Sequence, residues 1–552
     1  AAKALMEKAG VAVVPGYHGK AQDIGAFARE AKKLGFPILL KAVAGGGGKG
    51  MRIVRSASEL EAAIAGAKRE AAAAFGDDSL LMEKFVERPR HVEVQVFGDT
   101  HGNIVSLFER ECTLQRRHQK VVEEAPSAAL NEERRELLYD AARKAAGAIG
   151  YVNAGTIEFV ADERDAYFIE INTRLQVEHP VTEMLTGIDL VEWQLRIAMG
   201  EPLPLAQSEI KRRGHAIEAR LYAEDPAGGF LPSIGTITHW RAPSEDAGLR
   251  IDSGFGEGDA VSQFYDPMLA KIIAHAQTRT EALSRLRTAL AQFEVAGVTT
   301  NAPFLVRLLA EQAVIQNEVD TGYIEREGAG LGGTPSLLPP SEFQLAAACA
   351  VVIEHEKTDQ QKAAADPYSP WIHLRCWTML GARRRILRFR DKAGAEHNVT
   401  LIQERDRAIL QICNDELAFA FEPVPGEKAR FAITLGNKRR NVSAVREGET
   451  VIVFDGPDPI KLTLVDPFAA NALQAPLESG LVAPMPGTII ALIAEPGETF
   501  EAGAPMLILE AMKMEHTLRF PARGMVKRYL CAAGDFVAEG AALAEFEAVK
   551  PE

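Results

Sequence analysis

Short apolar runs alternate with stretches of helical spacing from the first residue to about residue 328. Residues 36–40 (FPILL), 92–97 (VEVQVF) and 156–160 (TIEFV) are β-rich and predict strands, and the helical segments between them make this an α/β region. Residues 1–10 place Leu5, Met6 and Ala9 on what reads as the middle of an amphipathic helix. No initiator Met or capping residue stands ahead of it, so the natural polypeptide is expected to begin earlier. Residues 328–340 (GAGLGGTPSLLPP) combine Gly and Pro and are expected to interrupt both helix and strand. An apolar helix follows at 342–355, then β runs at 385–389, 408–412, 431–435 and 450–454, which predict a small barrel or sheet packed on a helix. A second break near 466–476 precedes the last block. At 552 residues two to four domains are expected, and these breaks place them at 1–328, 341–465 and 478–548.

The last block repeats itself. Pro484, Gly487, Gly497, Gly503 and Glu510 return 37 positions later as Pro521, Gly524, Gly534, Gly540 and Glu547. Apolar runs lie between the turn glycines, so each half is expected to supply a few strands and the two to close into a pseudo-symmetric β sandwich. Chance recurrence of common residues explains five matches at one offset poorly. The stretch joining the halves, residues 511–517 (AMKMEHT), is the natural place for an exposed hairpin.

Composition narrows the function classes. The chain is 47% hydrophobic and 25% charged, as folded globular proteins are. Against 62 Lys plus Arg stand 76 Asp plus Glu, and the net charge of -14 repels nucleic acid and anionic membrane, so any anionic substrate must be held by local clusters. Five cysteines, Cys112, Cys349, Cys376, Cys413 and Cys531, form no C-x-x-C pair, which argues against a disulfide framework or zinc site and fits a reducing compartment. No apolar run approaches the length of a membrane span, and the first residues do not show the basic-then-apolar pattern of a leader.

Four segments carry candidate chemistry. Residues 41–51 (KAVAGGGGKGM) follow a predicted strand; consecutive glycines let backbone N–H groups point at phosphate oxygens, and Lys41 and Lys49 add positive charge. A mobile linker is the bland alternative. Glu158, Glu170 and Asn172 lie on two strand-like segments, where two acids and an amide oxygen suit Mg2+, unless they are ordinary solvent-facing alternation. In residues 173–183 (TRLQVEHPVTE), Arg174 offers a forked donor for a planar anion and Glu178 a base. Finally, Lys513 sits between Met512 and Met514 at the predicted hairpin, either an ordinary surface lysine or one presented for modification.

These segments resemble a known family. VAPMPGTI at 482–489 and AMKM at 511–514 are similar to biotin carboxyl carrier domains, which implies that Lys513 carries biotin; lipoyl domains share the fold but typically lack the methionine pair. Residues 1 to about 325, including EKFVERPRHVEVQV at 83–96 and RECTLQRRHQKVVEEAPS at 110–127, resemble the ATP-grasp fold of biotin carboxylases, without the first subdomain of that family. The resemblance implies that Lys41, Gly45, Gly46, Gly47 and Gly48 cover the ATP phosphates and that Glu83, Lys84 and Val86 meet the adenine. His91, Gln115, His118 and Lys120 would line the nucleotide and bicarbonate side, and Glu158, Glu170 and Asn172 would hold Mg2+ (or Mn2+). Arg174, Gln176 and Val177 would bind bicarbonate, with Glu178 as general base and Arg220 stabilising the biotin enolate. For each histidine taken singly, a satisfied core polar group is the ordinary alternative.

The same resemblance implies a division of labour. The block at 341–465 has the helix-then-strands composition of the subunit-docking domain in acyl-CoA carboxylase alpha chains. No residues follow the carrier for a carboxyltransferase, so a separate beta subunit is expected, in an α6β6 assembly, with biotin protein ligase as a second partner. AMKMEHT and FYDPMLAK (264–271) are most similar to 3-methylcrotonyl-CoA carboxylase alpha chains; propionyl-, geranyl- and acetyl-CoA carboxylases are the alternatives. A bacterial source implies the cytoplasm and a eukaryotic one the mitochondrial matrix. A different class, a carrier and assembly module that no longer turns over, is separated from these by bicarbonate-dependent ATP hydrolysis.

Overall fold

The computed structural model describes residues 2–44, 51–117, 119–332, 339–363, 378, 381–404, 407–465, 480–484, 486–511, 514–520, 522–538 and 540–548. Gly45 to Gly48, His118, Lys513 and the break near 466–476 lie outside the described residues.

The first block builds two sheets. The smaller has the strand order Gly16–Tyr17, Leu80–Lys84, Ile38–Ala42, Met51–Val54. Ile38, Leu40 and Ala42 point, with a period of two, into a core with Phe27 and Ile64 of the helices Ile24–Leu34 and Leu60–Phe75. Asp23 starts the first of those helices by accepting from the Ala26 N–H.

The larger sheet is antiparallel and has eight strands, ordered Leu249–Ser253, Met268–Ala276, His215–Tyr222, Gln119–Ala125, Ile104–Arg116, Arg90–Gly98, Asn153–Ala161, Ala166–Asn172. Along Arg90–Gly98, Val92, Val94 and Val96 pack against Leu138, Tyr139 and Ala142 of the helix Glu132–Ala148. The interleaved Glu93 and Gln95 take the other face, yet both are fully buried. Charges placed there must find partners inside the protein.

The expected break at 328–340 begins later than its glycines suggest, because the helix Tyr323–Gly332 runs through Gly328 and Gly330. Packing overrides propensity: Leu331 is buried in the core beneath it, and Arg307 donates to the terminal carbonyls of Leu331 and Gly332. The helix expected at 342–355 spans Glu342–Ala363, and the strands after it close into an eight-stranded barrel. Residues 345–352 of that helix are buried on every side, half of them as small Ala side chains, among Leu387, Phe389, Ile433 and Val453 of the barrel wall. The barrel touches the first block through His239 and Phe454, whose rings lie 5.6 Å apart, and through Arg307 and Asp458 at 2.7 Å.

The last block is the symmetric sandwich that the repeat predicts. One sheet orders Gly480–Val482, Ala542–Ala548, Gly524–Tyr529, Thr499–Phe500; the other, Met514–Arg519, Pro505–Ala511, Gly487–Leu492, Phe536–Val537. Each strand of one sheet has its counterpart 37 positions away in the other. The repeated glycines have a physical reason: a Cβ on Gly487 would collide with the Glu510 carbonyl, and one on Gly524 with that of Glu547. Among the described residues no helix is long and apolar enough to cross a membrane.

Candidate active site

Strand register lays Arg110, Glu93, Glu158 and Glu170 side by side across four successive strands. Arg110, fully buried, donates from Nε to Glu93 at 2.6 Å, from Nη1 to Gln95 at 2.7 Å and from Nη2 to Gln176 at 2.9 Å. Lys120 arrives from the adjoining strand, its Nζ 2.6 Å from Glu93, 3.1 Å from Glu158 and 2.7 Å from Glu178. Burial opposes the Lys120 charge, but the surrounding carboxylates, Glu93 first, outweigh it and hold the amine well above its usual range. Burial likewise works against ionised Glu93, and Arg110 and Lys120 overcome it, holding that carboxyl at about 2.

Glu178 precedes the helix His179–Thr186, which Val181 and Leu185 anchor against Ala125, Ala216 and Ile273. That packing sets the preceding turn over the polar face of the sheet. Glu178, 2% exposed, meets Lys120 through one oxygen and Nη2 of Arg220, 3.0 Å away, through the other. Arg220, from His215–Tyr222, also donates from Nε to Glu123 at 2.6 Å. Gln176 donates to Glu158 at 3.0 Å, and the Val177 carbonyl accepts from Lys271 at 3.0 Å. Arg174 stands apart: it is exposed and donates to the carbonyl of its neighbour Leu175.

On the other side of Lys120, His91 Nε2 lies 3.0 Å from Glu158 and the Asn172 amide donates to Glu158 at 2.7 Å. The ligand atoms of His91, Glu93 and Glu158 fall within 4.8 Å of one another. Burial and the facing charge of Glu158 push the Glu170 carboxyl up, which a cation between the two would relieve, so this donor set fits a hard divalent ion. In the small sheet, Lys41 Nζ lies 2.8 Å from the buried Glu83. Lys3 pairs with the same carboxylate, and burial, then Lys41, push its amine down to about 7. Two partly desolvated lysines on one buried carboxylate fit a phosphate-bearing ligand.

Two expected residues take other partners. The Lys84 amine donates to the carbonyls of Gly35 and Phe36, and the Gln115 amide to the Cys112 carbonyl. Val86 is half-buried on the turn after its strand. Conversely, sequence reading did not single out Lys3, Glu93, Arg110 or Glu123. For Glu93 the available signal was a charged residue alternating with apolar ones inside a strand; Arg110 and Glu123 stand next to other acids, and Lys3 lies on the helix Ala2–Lys8. The carrier block rests on the same region: Leu231 packs against its core, and the 5% exposed His516 ring has its basicity lowered by burial and by the nearby Arg117 and Arg116.

The Glu93 shift has a measurable sign. Its folded pKa lies below the unfolded one, so its stabilisation is complete above about pH 4.5 and is lost as pH falls toward 2. Glu93→Gln strands Arg110 without its anion and should cost roughly 3–5 kcal/mol at neutral pH. Urea midpoints of both proteins at stepped pH should converge below pH 4.5; a constant gap down to pH 2 would refute the pairing.

Three family models match: the ATP-binding domain of the carbamoyl-phosphate synthase L chain at residues 1–206, the biotin carboxylase C-terminal domain at 218–326, and the biotin-requiring enzyme domain at 480–546. The mitochondrial methylcrotonoyl-CoA carboxylase subunit alpha of Dictyostelium discoideum is 41% identical over 96% of this chain and 76% of its own length. The propionyl-CoA carboxylase alpha chain of Ruegeria pomeroyi is 37% identical over 99% of this chain and 82% of its own. Among solved structures, the biotin carboxylase domain of Hydrogenobacter thermophilus 2-oxoglutarate carboxylase, in complex with MgADP, ADP and bicarbonate, superposes with a TM-score of 0.58. It is 46% identical, and the match covers 60% of this chain and 73% of that one.

Proposed function

Since this chain belongs to the alpha-subunit family of biotin-dependent acyl-CoA carboxylases, with a biotin carboxylase region and a carrier domain, we propose that the Glu178 cluster is where biotin is carboxylated. The observation that carries this reading is the position of Glu178 between two cations, Lys120 at 2.7 Å and Arg220 at 3.0 Å. A carboxylate there can take a proton from bicarbonate while the flanking cations hold the anion. Gln176 and the Val177 backbone frame its position, and Arg174, exposed with donors to spare, closes on it. Burial opposes the Arg220 charge, but Glu123 and the other acids around it hold it up, so Arg220 remains a cation for the ureido oxygen of biotin.

The nucleotide side follows. Lys41 and the glycines at 45–48 take the ATP phosphates; Glu83, Lys84 and Val86 take the adenine, Lys84 through its backbone because its amine is tied to Gly35 and Phe36. Glu158, Glu170 and Asn172 hold Mg2+, which neutralises the charge that develops on the phosphates. His91, Gln115 and His118 border the nucleotide. Lys513 carries the biotin, attached by biotin protein ligase.

The acceptor is 3-methylcrotonyl-CoA, favoured over propionyl-CoA by identities that reach 42% to methylcrotonoyl-CoA carboxylase alpha subunits, against 37% to propionyl-CoA carboxylase alpha chains. A carboxyltransferase beta subunit completes the reaction, docked on the barrel in an α6β6 assembly. With Mg2+, free biotin and ATP, this chain should release ADP only when bicarbonate is present. ADP release indifferent to bicarbonate, or none, would overturn the assignment of the cluster.

A further inference from the structure

One acid beside Arg220 has no role in the reading above. Glu218 lies two residues before Arg220 on the strand His215–Tyr222 and is fully buried. Neither of its carboxyl oxygens has a hydrogen-bond partner, and Oε2 of the equally buried Glu123 has none either. Strand register sets the two acids directly opposite each other, Glu218 against Glu123. Directly opposed residues share a face of the sheet with Cβ atoms about 5 Å apart, close enough for two carboxyl groups to share a proton.

The charges around the pair cannot satisfy both acids as anions. Those facing Glu218 are Glu123, Lys271, Arg220 and Glu178. Lys271 is committed to Asp252 at 3.0 Å and to the Val177 carbonyl at 3.0 Å. Arg220 already spans Glu123 and Glu178. An ionised Glu218 would therefore be a third carboxylate on one guanidinium, buried and without a hydrogen bond, which is prohibitively costly.

We propose that Glu218 stands in the site as a neutral carboxylic acid whose O–H donates to Oε2 of Glu123, so that the pair forms a one-proton clamp fixing the Arg220 guanidinium toward Glu178. The proton satisfies all the otherwise unpartnered oxygens but one. It also leaves Glu123 a single charge to present to Arg220 Nε, so the guanidinium keeps its second contact with Glu178 rather than turning toward Glu218. Burial, then the Glu123 charge, pushes the Glu218 carboxyl well up, and burial raises Glu123 to about 7 against the pull of Arg220, as two acids sharing a proton require. Glu218 is a positioning residue: it acts on biotin only through Arg220. Its role in turnover rests on the proposed function, but its protonation does not.

Infrared spectroscopy of the resting protein at pH 8, where nearly all other carboxyl groups are ionised, reads the proton directly. Wild type minus Glu218→Gln should show one buried carboxylic-acid C=O band that shifts in D2O. In bicarbonate-dependent ADP release, Glu218→Leu should lower kcat by a factor on the order of ten to a hundred with little change in KM for ATP. Glu218→Gln, which keeps a donor to Glu123, should restore most of that loss. Absence of the band, or equal loss in both variants, overturns the clamp. Wild type without bicarbonate dependence, but with the band present, would instead overturn the assignment of the site and leave the shared proton standing.

Discussion

Lys513→Arg is expected to abolish both capture by streptavidin and overall acyl-CoA carboxylation, while ADP release with free biotin continues at the wild-type rate. The carrier's two sheets are built from elements on either side of Lys513, and the hairpin strands pair up to Ala511 and Met514. The apolar core of the described residues, with Ile489, Leu507, Leu509, Phe520 and Val526, draws on strands from both halves of the repeat. Arginine at 513 therefore leaves the sandwich intact and keeps the positive charge, but a guanidinium does not lose its proton and offers no amine for an amide bond to biotin. Peptide mass mapping places the modification, and a biotin increment found on another lysine would show that the hairpin is not the carrier tip. Retention of the free-biotin activity separates loss of the tether from damage to the carboxylating site.

The parts of this molecule that the sequence displayed are those with a local cause. The carrier repeat was readable because the glycines at 487 and 524 are required by close approach of a facing strand, a constraint each half must meet separately. The strand at 92–97 was readable from its alternation, but the alternation does not say whether the second face meets water or protein. Val-Glu-Val-Gln-Val reads as a half-exposed strand, whereas Glu93 and Gln95 are fully buried under the turn that carries Glu178. Glu93 was missed for that reason, and Glu123 and Glu218 because they meet only through the register of strands far apart in sequence; Arg110 faces Glu93 on the next strand, but only the fold shows that both are buried. Closure of the barrel was undetermined for the same reason, since it depends on pairing Arg383–Arg390 with Ile460–Leu464. The glycines at 328 and 330 misled in the opposite direction, because burial of Leu331 and the Arg307 cap outweigh a helix cost of about 1 kcal/mol for each.

The largest chemical effect should come from Glu178→Gln. The carboxylate uses one oxygen for Lys120 and the other for Arg220, so an amide of the same shape satisfies one cation and turns an N–H2 group toward the other. Both consequences fall on the same step. The base is lost, which by itself removes roughly two to four orders of magnitude from turnover, and one of the two cations that would hold the bicarbonate loses its anchor. Arg174→Ala should fall by a comparable two orders or so, as removal of an electrostatic stabiliser does, although in the resting arrangement Arg174 donates to the neighbouring Leu175 carbonyl. ATP binding should change little in either variant, because Lys41 and Glu83 belong to the smaller sheet and cluster there with Lys3 of the helix Ala2–Lys8. Biotinylation of Lys513 should stay complete, since the carrier folds around its own core. The measurement is bicarbonate-dependent ADP release with free biotin, alongside nucleotide affinity. Near-normal turnover in both variants would place the proton transfer elsewhere, whereas lost turnover together with lost nucleotide binding would mean that the two sheets do not act as separate halves of the site.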